Sequence, residues 1–97
     1  MKSLLEYLNE GYAKNEKITA TGKKKFDKVV SKWLGDIKSF MREYGFSRED
    51  DYYTEIENIV WNYVNDNGIV SMASNDEDTM SYLDDKIEKL SDAVENM

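Results

Sequence analysis

Seven carboxylates, Glu77, Asp78, Asp84, Asp85, Glu88, Asp92 and Glu95, gather on the outer face of one candidate helix near the C-terminal end of the sequence. Carboxylates recurring along a helix imitate the phosphate spacing of a nucleic acid, so they suit the basic groove of a nucleic-acid-binding protein. They also repel one another: Asp84–Glu88, Asp85–Asp92 and Asp92–Glu95 are like-charge neighbours that cost the isolated helix stability. A face that carries such a cost is a candidate contact surface, although acidic outer faces are also common as plain solvated surface. A second stripe has the opposite sign. Lys24, Lys28 and Lys32 recur once per turn and would track an anionic backbone. No aromatic residue is interleaved with them, since Phe26, Trp33 and Phe40 point the other way, so stacking on single strands is unsupported. The expected DNA contact is weak and salt-sensitive.

Two further features call for chemistry. Asn65-Asp66-Asn67-Gly68 resembles part of a calcium loop, but with Gly68 at the sixth position the first ligand is Tyr63 and the twelfth Ser74. An EF-hand needs an oxygen donor, usually Asp, at the first position and a bidentate Glu at the twelfth, so this string reads as a helix end and turn. Trp61 falls off the edge of its helix's apolar stripe, where it is either an exposed interface anchor or a ring covered by a neighbouring segment such as Ile69 to Met72.

What is missing narrows the classes. The 97 residues include no His, Cys or Pro. The commonest general base and metal ligand is therefore absent, as are thiolate chemistry and disulfides. No pair of carboxylates or tyrosines stands out in a catalytic context, so no enzyme activity, cofactor or metal is expected. No apolar run approaches the roughly 20 residues of a membrane span, and no signal-peptide core is seen. The net charge of −7 divides unevenly: residues 1–46 carry ten basic and six acidic side chains, and residues 47–97 carry three basic and fourteen acidic. Either the halves attract each other within the fold, or each meets a partner of opposite sign.

These groups must be positioned by helices. Periodicity predicts an all-α, compact bundle of three or four helices, with 11–97 forming a single helical domain. Residues 3–13 make a short first helix with Leu4, Leu5 and Leu8 on one face. The second helix spans about 22–44, with Thr21 as its N-cap and Gly45 as its left-handed C-terminal cap. Phe26, Val29, Val30, Trp33, Leu34, Ile37, Phe40, Met41 and Tyr44 fall within an arc of about 140° on it, and Gly35 lies on its polar side. Ser47 and Asp50 have capping-box spacing and open a third helix, about 48–66, whose stripe is Tyr52, Ile56, Ile59, Val60 and Tyr63. A fourth helix, about 75–96, starts from Ser74 or Asn75. Its Met80, Leu83, Ile87, Leu90, Val94 and Met97 are spaced as a heptad seam, which is short for an autonomous coiled coil. That seam supports a second reading, a structural or assembly protein that forms a helical homodimer.

The N-terminal string is more specific. Met1-Lys2-Ser3-Leu4-Leu5-Glu6-Tyr7-Leu8-Asn9-Glu10, followed by Gly11, is a short amphipathic segment ending in a carboxylate before a small residue. It resembles the capsid-targeting leader of T-even phage internal head proteins. Those leaders open with Met-Lys-Thr, carry Glu followed by an aromatic and an aliphatic residue, and are cut by the prohead protease after an aliphatic-x-Glu site. Leu8-Asn9-Glu10-Gly11 matches that site, whereas Leu4 and Leu5 stand where the leaders have more polar residues, and Asn9 where they have a small one. The resemblance implies a protein packaged in the virion interior, trimmed between Glu10 and Gly11 and injected with the DNA into the host cytoplasm. The trimmed chain would carry a charge of −6 after losing Lys2, Glu6 and Glu10. Its acidic half departs from the strongly basic internal proteins. The resulting expectation is a small acidic phage-type protein that binds and inhibits a host defence enzyme of the restriction or CRISPR type.

Overall fold

A computed structural model describes residues 16–97, so residues 1–15, with the leader-like string and the Glu10–Gly11 site, lie outside the described residues. Four helices follow in order: α1 Ala20–Gly35, α2 Ile37–Tyr44, α3 Tyr52–Asp66 and α4 Glu77–Glu95. No strand occurs among the described residues, and the architecture is the expected all-α bundle.

The predicted long second helix is two helices. Asp36 (φ −146°, ψ 79°) ends α1 by donating its N–H to the Trp33 carbonyl at 3.3 Å. It also starts α2, its carboxylate accepting from the Ser39 N–H at 3.1 Å. Gly35 weakens the helix by about 1 kcal/mol relative to Ala, and Asp is among the strongest N-caps, so the break falls between them. Leu34, at the edge of the predicted apolar arc, is exposed. The aromatic stripe survives the break: Trp33 and Phe40 have ring centroids 4.8 Å apart, and Phe26 meets Trp33 edge-on at 6.0 Å.

Other boundaries also move. Thr19, rather than Thr21, caps α1, accepting from the Gly22 N–H at 3.0 Å. Ser47 and Asp50 bond to each other in an isolated turn, and α3 begins after Asp51. Asp76, rather than Ser74 or Asn75, caps α4. Ser74 is buried instead, donating its hydroxyl to the Glu16 carbonyl, and Thr79 Oγ1 accepts from the Ile18 N–H at 2.9 Å. The chain entering α1 is thus tied to the start of α4. Gly45 takes the expected left-handed conformation at φ 71°, and Gly68 does the same at φ 70° just past α3.

Phe26, Ile56, Val60, Val64, Leu83, Ile87, Leu90 and Val94 fill the core with essentially no exposure, each side chain contributing roughly 1.5–3 kcal/mol of apolar burial. Ile69 and Val70 close it from the α3–α4 connection, so that short apolar run is a buried connector. Among the described residues, one buried side-chain polar atom has no hydrogen-bond partner, the hydroxyl of Ser91 on α4. Replacing Ser91 with Ala removes a desolvated donor and improves helix propensity. It is expected to stabilise the fold by about 1 kcal/mol, read as a higher urea midpoint at unchanged slope. An unchanged midpoint would mean that the hydroxyl already has a partner in solution.

Candidate functional site: the outer face of α4

The first turn of α4 is built for negative charge. The Asp76 carboxylate accepts from both the Thr79 N–H (2.9 Å) and the Thr79 hydroxyl (2.8 Å), and these bonds hold it below its ordinary pKa. Glu77 and Asp78 follow at the positive end of the helix dipole. At the other end Arg48 donates to the carbonyls of Glu95 (3.1 Å) and Met97 (2.8 Å), placing a cation against the negative end of the dipole. Both termini are therefore satisfied without drawing on the middle of the acidic face.

All seven carboxylates are exposed. Of the two lysines of α4, Lys89 pairs with Asp85 on the surface at 3.2 Å, one helical turn away. Lys86 turns inward, its ammonium 3.2 Å from Asp27 of α1 and 5.1 Å from the centre of the Tyr82 ring. Tyr82 donates its hydroxyl to Asp27, which lowers the Asp27 pKa, while burial and then Asp27 itself push the phenol pKa up. Lys23 covers the same ring at 5.3 Å. This clamp takes an acid from the basic half of the chain and a lysine from the acidic half. Among the described residues, then, the ion pair joining α1 to α4 does not neutralise the charge segregation; it sharpens it.

The acidic surface is wider than α4. Tyr53 on α3 is exposed, and its phenol pKa is raised first by partial burial, then by the negative charges of Asp84, Glu57 and Glu88. Glu57 thus extends the stripe onto α3, with an aromatic ring set among the carboxylates. Sequence reasoning missed Tyr53 and Glu57 as site residues, because only the packing of α3 on α4 brings them beside Asp84 and Glu88. Trp61 is half-buried and packs against the core, so most of that ring is spent on the fold.

Lys24, Lys28 and Lys32 are exposed along α1, and Phe26 and Trp33 are buried away from them, which leaves no stacking platform on that face. Asn65 to Gly68 form the end of α3 and a turn, with the Asn67 side chain donating to the Tyr63 carbonyl at 2.9 Å. No group of three or more potential metal ligands occurs among the described residues. The heptad seam is used inside the chain: Leu83, Ile87, Leu90 and Val94 are fully buried, and only its ends, Met80 and Met97, are exposed. A homodimer through that seam would have to open the core. Among the described residues, no helix is long and apolar enough to cross a membrane.

Comparison with family models, curated protein sequences and solved structures finds no match to the chain.

Proposed function

We propose that this is a non-enzymatic inhibitor that presents the outer face of α4 to the basic, nucleic-acid-binding groove of a host defence enzyme of the restriction or CRISPR type. The observation that carries the reading is the exposed acidic surface, continued by Glu57 near Tyr53 and, among the described residues, without an ion pair to the lysines of α1. Carboxylates held at helical spacing compete with phosphates for the same cations, and an aromatic ring among them supplies apolar contact where a base would lie. Inhibition of DNA cleavage by purified effectors should weaken steeply with salt and be relieved by added DNA. Inhibition indifferent to both would count against the reading.

Delivery from the capsid is a separate part of the proposal and rests on the leader-like residues 1–10. Co-expression with a matching prohead protease should shorten the chain between Glu10 and Gly11, seen as a mass loss equal to the first ten residues. An intact product would remove the virion from the account and leave the α4 surface untouched.

A further inference from the structure

A cleft of about 190 Å³ lies where the C-terminal ends of α2 and α3 meet, lined by Tyr44, Ile59, Asn62, Tyr63, Asp66 and Asn67. None of the α4 carboxylates belongs to it. Its volume is below the roughly 300–1,000 Å³ of pockets for drug-sized ligands, and it suits the head of a single side chain. Two of its walls are aromatic and held in place: Tyr44 and Tyr63 meet the buried Trp33 edge-on, at 5.8 and 5.4 Å between ring centres. Among its polar groups, the Asp66 carboxylate and the amide oxygens of Asn62 and Asn67 can accept, and Asp66 carries the only charge of the lining. Asp66 is exposed at the end of α3, a helix with no basic residue in its last turn, so the negative end of the dipole there has no cation from its own side chains. The amide nitrogen of Asn67 is engaged with the Tyr63 carbonyl, which leaves the amide oxygen to accept. Arg42, in the last turn of α2, acts on Asp36 at the other end of that helix and does not line the cleft.

We propose that this cleft seats one guanidinium group, an arginine side chain presented by a partner protein, stacked on the tyrosine faces with Asp66 as its counter-charge. Faces of π density beside a carboxylate and a helix C-terminus attract a cation. A planar, weakly hydrated guanidinium fits between rings and acceptors better than a compact, strongly hydrated ammonium. The site stands whether or not the acidic stripe of α4 is a binding surface, because it shares no residue with that stripe.

The full chain, titrated with N-acetyl-arginine amide at constant ionic strength and followed by amide NMR shifts, tests it. N-acetyl-citrulline amide supplies the same shape without the charge, and N-acetyl-lysine amide the charge without the plane. Saturable shifts confined to the residues around Tyr44 and 59–67 are expected with the arginine probe, with binding weaker by about tenfold for the citrulline probe. Asp66→Asn, at an exposed position, should leave the fold intact by circular dichroism and weaken the arginine probe by a similar about tenfold factor. Equal binding of the arginine and citrulline probes, a lysine probe that binds as well as arginine, an unaltered Asp66→Asn variant, or shifts that stay linear would each overturn the proposal. Shifts along α4 alone would also overturn it, while leaving the acidic stripe in play.

Discussion

Phe26→Ala is expected to destabilise the protein by about 3–5 kcal/mol, whereas Leu34→Ala, two turns along the same helix, should cost about 0.5–1 kcal/mol. Phe26 has no exposed surface, meets Trp33 edge-on at 6.0 Å and lies on Tyr63 at 5.9 Å. Its removal leaves a cavity among rings that the surrounding helices cannot close. A chain of this length is stable by about 5–15 kcal/mol, and each kcal/mol moves the melting temperature by about 4–8 °C, so the Phe26 variant should melt tens of degrees lower. Leu34 is the control. It lies at the edge of the apolar arc that Phe26 occupies near its centre, is 37% exposed and has less burial to lose. Urea unfolding of the two variants, followed by tryptophan fluorescence, separates the cases. Comparable losses would put Leu34 in the core.

That contrast shows what the sequence made legible. The class of fold and the inner stripes of α3 and α4 follow from spacing alone: Ile56, Ile59, Val60 and Leu83, Ile87, Leu90, Val94 are all buried where periodicity puts them. The helix ends differ from expectation for a specific reason. The usual capping box is a hydroxyl followed three residues later by an acid, as in Ser47 and Asp50, and that pair makes only a turn. This chain uses the reverse order. Asp36 with Ser39, Asp51 with Thr54 and Asp76 with Thr79 each place a carboxylate first, and in all three it accepts from the backbone of the third residue. In the last two it also takes the threonine hydroxyl. The signal stood in the sequence three times, and its recurrence fixes every helix start after α1. The clamp of Asp27, Tyr82 and Lys86 had no comparable signal, because its members come together only when α1 packs on α4. For the same reason periodicity marks the candidate surface as one helix face, without Tyr53 and Glu57.

Reversing charge at Asp84, Asp85 and Glu88 together, each to Lys, should abolish inhibition while leaving the fold nearly unchanged. All three side chains are exposed and lie mid-helix, away from the ends where α4 needs acids, so neither burial nor the dipole opposes the change. The 84/88 pair stays like-charged with its sign reversed, the Asp85–Lys89 attraction becomes a repulsion, and a lysine at 88 gains Asp92 one turn on; each change is worth only a few tenths of a kcal/mol. The net stability change should stay within about 1 kcal/mol. Against a basic groove the same substitutions put like charges face to face, which costs several kcal/mol, so affinity should fall by about 10²–10³-fold at low salt, with a shallower salt dependence. Neutral Asn and Gln at the three positions should give an intermediate loss, because they remove attraction without adding repulsion. A partner-free readout accompanies the binding assay. Asp84 and Glu88 help to raise the Tyr53 phenol pKa, and lysines there reverse the sign of that effect, so Tyr53 should ionise at lower pH in the triple variant. If Tyr53 shifts as expected and inhibition persists, the carboxylates surround the ring as described but the partner docks elsewhere. If both change together, the carboxylates around Tyr53 are the surface the partner reads, because only their sign has changed on a fold that stays the same.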